Sequence, residues 1–184
     1  MAPSGSGNRE YQTMDQQQLV TSVATLDLDR YCGVWFEIGR LPLRWEAAES
    51  TDITAEYTLE ADGSVRVDNR CFDKAGAPSQ AIGRATPVNG KPGQLEVSFL
   101  PEILRWIPFT KGDYWVLKID EPYTVALVGT PDRKNLWLLA REPRIDPAVE
   151  TEYLAEASRQ GFDLEQWITP AQSGRRVTDG LLKG

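Results

Sequence analysis

Three polar residues set among apolar neighbours are the first candidates for chemistry: Glu37, Tyr57 and Asn69. Glu37 follows Trp35 by two positions, so the two share one face of an extended chain. Tyr57 shares a face with Ile53, Ala55 and Leu59, and Asn69 with Val65, Val67 and Cys71. A carboxylate on an inward face needs a partner or it takes up a proton. Glu37 therefore pairs with an internal Arg or Tyr, or orients the polar head of a ligand. Catalysis by these groups lacks its usual helpers. The chain has no histidine, which removes Ser–His and Cys–His nucleophile pairs and histidine metal sites. Two cysteines, Cys32 and Cys71, cannot form a thiolate cluster. The sequence thus offers no catalytic residue, no metal site and no cofactor, and it points to a binding protein before an enzyme.

Short alternating runs must position these groups. They cover Val34–Leu41, Thr51–Ala61, Ser64–Phe72, Ala81–Val88, Gln94–Leu100, Gly112–Asp120, Tyr123–Gly129 and Asn135–Arg141. Asp62-Gly63 and Asn89-Gly90 are hairpin signals between them. Eight short strands with mostly tight links predict an all-β fold, an eight-stranded antiparallel up-and-down barrel whose closure leaves no exposed edge. A barrel of this size holds packed side chains or one small ligand. One C-terminal helix is predicted on its outside. Asp146 caps it, Pro147 suits its first position, and Val149, Tyr153, Leu154 and Ala157 form its apolar stripe. Gly161 ends it, and Phe162–Thr169 returns against the first strand. The barrel domain spans residues 25–170. Residues 1–24 and 171–184, poor in apolar side chains, read as a flexible arm and a flexible tail.

The same alternation puts Trp137, Leu139 and Arg141 on one face of the eighth strand, beside the first. Taken by residue type, Trp35 is a core aromatic with Arg141 at a solvated strand end, or the two stack and plug one end of the barrel behind Gly33. Val67, Phe99, Tyr114 and Trp137 complete the expected ligand wall, with Trp45 at the mouth. Between the fifth and sixth strands, two prolines interrupt Leu100–Thr110. This link lies at the open mouth, so Ile103, Leu104, Trp106, Ile107 and Phe109 form an apolar rim there, beside Leu43 and Trp45. Such a patch contacts ligand, membrane or a second subunit, or folds on itself as a lid, leaving monomer and homodimer both open. The cysteines are expected to be unpaired. Cys71 lies eight residues past Gly63, roughly 20 Å or more up the wall from Cys32.

The net charge of −7, without a long basic run, argues against nucleic-acid binding. No apolar run approaches the ~20 residues that span a bilayer, and Met1–Gln18 lacks the apolar centre of a secretory signal. The sequence as it stands fits a cytoplasmic or peripheral membrane protein, or an outer-membrane or periplasmic one if a signal was removed.

Three blocks, in order, resemble the signature regions of the lipocalins: Gly33-x-Trp35 after a polar turn, Asp120–Tyr123 leading into Thr124–Gly129, and Leu136–Arg141. Leu28–Tyr31, Trp35–Ile38, Asp68–Cys71, Gly112–Leu117, Ala126–Gly129 and Gly161–Asp163 are most similar to the bacterial outer-membrane and plant temperature-induced members. The resemblance selects the plug over the solvated strand end. It implies a carrier of fatty acids or lysophospholipids that serves membrane maintenance under stress, with the rim loop as the membrane contact. A tetrapyrrole or carotenoid binder, and a lipid-modifying enzyme on the same barrel, are the alternatives. The bacterial relatives' acylated cysteine has no counterpart near this N-terminus, and Phe36 replaces a common Tyr.

Overall fold

Antiparallel pairing runs unbroken around the molecule in the computed structural model, which describes residues 19–43, 47–99 and 112–183. A single-turn helix, α1 (Leu28–Tyr31), leads into β1 (Gly33–Arg40). The strands β2 (Thr51–Leu59), β3 (Val65–Phe72), β4 (Pro78–Pro87), β5 (Gln94–Ser98), β6 (Gly112–Ile119), β7 (Val125–Gly129) and β8 (Leu136–Ala140) follow. Each pairs with its neighbour in sequence, and β8 closes onto β1. The fold is therefore the closed up-and-down barrel that the alternation predicts, with strand limits within a few residues of those read from the sequence.

Alternation divides the apolar residues into two layers. Trp35, Tyr57, Val65, Val67, Val116, Ala126, Val128 and Leu139 fill the barrel interior. Leu117, Val125, Leu127, Leu136 and Leu138 face outward, under α2 (Pro147–Arg159). Both faces of β7 are buried throughout, which explains its continuous apolar run. The helix begins as expected: the Asp146 carboxylate accepts from the Ala148 N–H at 2.8 Å, and Pro147 occupies the first turn. Its buried Tyr153 and Ala157 meet the barrel, and the Tyr153 hydroxyl donates to the Val125 carbonyl at 3.1 Å.

Three register shifts interrupt the ladders, at Glu37/Gly39, Thr51/Thr54 and Val116/Lys118. Each inserts a residue and resets which face the next one takes. Beyond the first shift, the returning segment forms a bridge from Ile168 to Arg40, with bonds of 2.9 and 2.8 Å. Trp167 packs against the strand at Gly39 there. A Cβ at Gly39 would come within 2.3 Å of its ring, so only glycine permits the approach.

The described residues of the expected arm and tail make contacts with the barrel. Val20 is buried, and the Val23 N–H donates to the Val116 carbonyl at 2.8 Å. Residues 171–183 run over the outer faces of β2 and β3. Gln172 donates to the carbonyls of Glu37 and Ile53, and Ser173 to the buried Asp52 carboxylate. Arg70 donates to the Val177 carbonyl and pairs with Asp179 at 2.7 Å. Polar bonds to the bulge at Asp52 and to Arg70 join this segment to the barrel. Hydrophobic content, the signal used to read the tail, does not register such partners. Residues 1–18 lie outside the described residues.

Candidate functional site

Gly33 has φ +102°, where other residues are strained, and a Cβ there would stand 3.2 Å from Arg141 Nη1. This lets the chain turn from α1 into β1 directly beneath the arginine. The Arg141 guanidinium carbon lies 3.8 Å from the centre of the Trp35 ring. Its Nη1 donates to Val34 O at 2.9 Å, its Nη2 to the carbonyls of Arg30, Tyr31 and Cys32, and its Nε to Tyr123 O at 3.2 Å. Trp35 is fully buried and donates from Nε1 to Tyr31 O at 2.8 Å. Gly33, Trp35 and Arg141 are thus brought together at one end of the barrel. Stacking and desolvation strengthen such a contact.

Above this end three tyrosines converge. The Tyr114 hydroxyl lies 2.6 Å from that of Tyr31 and 2.8 Å from that of Tyr57. Burial is the main cause that raises all three phenol pKa values, and neighbouring phenols add to it for Tyr31 and Tyr114. They therefore stay neutral hydrogen-bonding groups at physiological pH and do not serve as bases. Their rings, with Val65, Ala85 and Leu95, enclose a cavity of about 10 Å³, scarcely room for one water. The Trp137 ring stacks on Tyr114 with centroids 6.5 Å apart. Phe99 is 43% exposed and lies over Gly83, whose lack of a side chain makes room for it. Val67 is buried between these rows.

Towards the other end, Glu37 and Arg40 form a buried ion pair of 2.7 Å. Arg40 Nη2 also donates to Ala47 O. Strict alternation from Trp35 would turn Arg40 outward. The register shift makes Gly39 pair with Leu138 and Arg40 with Trp137, whose side chain faces inward. Glu37 and Arg40, three residues apart, thereby share the inner face. Sequence reading anticipated a partner for Glu37 but did not identify it. Gly39 inside a strand pattern is the signal that could have revealed the bulge. Tyr31 was also missed as an inward polar group, because a one-turn helix has no alternation to read. Asn69 lies opposite Ala55, and its Oδ1 is buried without a partner among the described residues.

Of the expected ligand-wall residues, Glu37, Tyr57, Val67, Asn69, Phe99, Tyr114 and Trp137 lie on strands of one continuous wall or, for Phe99, at the end of β5. Trp45 and the rim residues Ile103, Leu104, Trp106, Ile107 and Phe109 lie outside the described residues. Cys32 and Cys71 are not joined by a disulfide, and no cluster of His, Cys, Asp or Glu among the described residues could hold a metal ion. No helix among the described residues is long and apolar enough to cross a membrane.

The family profile of the lipocalin-like domain matches residues 26–172. The chain belongs to the lipocalin family. It is 34% identical over 163 residues to temperature-induced lipocalin-1 of Arabidopsis thaliana, covering 87% of each chain. It is 39% identical over 158 residues to the outer membrane lipoprotein Blc of Escherichia coli, covering 84% of each. Bovine apolipoprotein D is 32% identical over 132 residues, 68% of this chain and 66% of that one. Among solved structures, insecticyanin of the tobacco hornworm Manduca sexta superposes with a TM-score of 0.66 at 22% identity, covering 84% of this lipocalin and 85% of that chain. Lobster apocrustacyanin A1 superposes equally well at 10% identity, over 91% and 98%. These two likenesses concern the fold alone. Lipocalins as a family bind small hydrophobic ligands.

Proposed function

We propose that this lipocalin is a non-catalytic carrier that holds a fatty acid or lysophospholipid in its barrel and serves membrane maintenance under stress. The observation that carries the reading is a barrel stopped at one end by Trp35 and Arg141 and lined above by Val67, Tyr114, Phe99 and Trp137. Such a lining suits an apolar chain, with Glu37 and Arg40 near a polar head. The names of the relatives, temperature-induced in the plant and outer-membrane in the bacterium, support the stress and membrane parts. A peripheral membrane location follows, with an outer-membrane or periplasmic one as the form closest to the bacterial relative. Stepwise addition of long-chain amphiphiles should quench tryptophan emission to a one-to-one endpoint, since Trp137 stands in the wall. If no C14–C18 amphiphile binds at micromolar concentration, the reading fails. A coloured ligand on the purified protein would replace it with a pigment binder.

Membrane contact is assigned to the apolar segment that holds Ile103, Leu104, Trp106, Ile107 and Phe109, on its sequence. Burying ~300 Å² of such surface contributes several kcal/mol at about 25 cal/mol per Å², enough for reversible docking. Changing Ile103, Trp106 and Ile107 together to Ser should abolish co-sedimentation with vesicles and leave the melting temperature unchanged. A variant that keeps vesicle binding but loses dimerisation would make the segment a subunit interface.

A further inference from the structure

The ladder between β1 and β2 stops at Phe36 and Thr54, although β1 runs on to Arg40 and β2 begins at Thr51. The two strands part there, towards the mouth, and leave a seam in the wall. One side chain spans it. The Gln172 amide donates to Glu37 O at 2.8 Å and to Ile53 O at 2.9 Å, so it stands where a backbone rung would. Its neighbours clamp the β2 edge. The Asp52 N–H donates to Ala171 O at 2.9 Å, and the Ser173 N–H and hydroxyl bond the Asp52 carboxylate at 2.6–2.9 Å. The bridge from Ile168 to Arg40 anchors the segment before this clamp. Behind the seam lies the buried Glu37–Arg40 pair, because the residue whose carbonyl meets Gln172 turns its carboxylate inward.

Closing the seam this way is costly in two respects that opening would relieve. Gln172 Oε1 is buried without a partner among the described residues, and water would satisfy it. Asp52 is held at φ +48°, a left-handed conformation that non-glycine residues rarely take and that surrounding contacts must impose. Ala171 and Ser173 are exposed, so water competes for their bonds. We infer that Ala171, Gln172 and Ser173 form a latch on a side opening of the barrel. Its release withdraws the Gln172 amide, parts β1 from β2 and admits a lipid chain between them. This rests on the carrier reading above. Such a latch sets how fast a ligand exchanges and leaves its affinity nearly unchanged, because opening speeds entry and exit alike.

Rapid mixing of the full chain with palmitate, or with palmitoyl lysophosphatidylcholine if the acid does not bind, tests this. Tryptophan quenching followed over a range of concentrations yields the association and dissociation rate constants together. Gln172→Ala should raise both about tenfold and leave Kd within about threefold, since two hydrogen bonds no longer oppose opening. Asp52→Cys with Ser173→Cys, in a Cys71→Ser background that prevents mispairing, ties the latch shut. Once oxidised, this protein should exchange ligand about tenfold more slowly than the same protein reduced. If Gln172→Ala does not fold, the reversible cross-link decides alone. Unchanged rates in Gln172→Ala, or equal rates in the cross-linked and reduced protein, would overturn the inference and leave the carrier intact. So would a weaker Kd with an unchanged association rate, which would make Gln172 a support of the wall and not a gate. If neither amphiphile binds the parent, the carrier reading falls and this inference falls with it.

Discussion

Arg141 and Arg40 lie near opposite ends of one strand pair, and their partners differ in kind. Arg141 donates to five backbone carbonyls and lies on the face of Trp35. Carbonyls do not titrate, and these belong to α1, the Cys32 link, β1 and the turn before β7, so the arrangement is fixed by the fold. Arg40 instead neutralises a carboxylate on the inner wall and reaches the Ala47 carbonyl. Its partner carries charge of its own and stands where a ligand head would arrive. One arginine closes the barrel. The other conditions the electrostatics of its interior.

The largest effect should come from the closed end. Trp35→Ala removes a fully buried indole beneath a guanidinium, and large-to-small core changes of this type cost about 3–5 kcal/mol. Denaturant unfolding measures it. A variant as stable as the parent would show that the end is closed by Arg141 and its carbonyls without the ring.

Glu37→Ala tests the second arginine. It leaves the Arg40 guanidinium buried with one countercharge fewer, which costs about 3 kcal/mol. Replacing Glu37 and Arg40 together by Leu should recover most of that loss, because a buried ion pair contributes little over apolar packing. The double variant should nevertheless bind charged amphiphiles less tightly than the parent. If it binds them equally, the pair has no part in holding a ligand head, and the contrast with Arg141 reduces to geometry.

The two arginines also mark how far the sequence could be read. Arg141 ends a strand whose alternation places it beside Trp35, and the preceding Gly33 needs no tertiary information to suggest a tight turn. The helix was legible for similar reasons, since Asp146, Pro147 and the stripe from Val149 to Ala157 are local signals. Arg40 was hidden because one extra residue reverses every later side chain on a strand. The contacts of residues 171–183 were hidden because Ser173, Gln172 and Arg70 act through bonds between positions more than a hundred residues apart. No periodicity records such pairings. Asn69 was legible as an inward polar residue, but its unspent oxygen follows only from the surrounding contacts.

A third charged site, on the outer face, should give the smallest effect and sets the scale for the other two. Asp68 accepts from Arg70, Gln80 and Arg66 at 2.9–3.1 Å. Burial acts to raise its pKa, and these hydrogen bonds outweigh it, so the net shift is downward. A carboxyl whose folded pKa lies below its unfolded value of about 3.9 contributes stability that is complete above that pH. The contribution is lost as pH falls through the folded value. Water still reaches Arg66, so the pairing is screened, and Asp68→Asn should cost only about 1 kcal/mol at pH 6. Other carboxylates, Asp62, Asp132 and Glu156, are also held below their ordinary pKa by hydrogen bonds, so the parent alone would not isolate Asp68. The difference between parent and variant does. It should hold from pH 7 to about pH 4 and shrink towards zero below that, as the parent carboxylate takes up its proton. A difference that stays constant down to pH 2 would mean that the shape of the side chain holds the two arginines, and its charge does not.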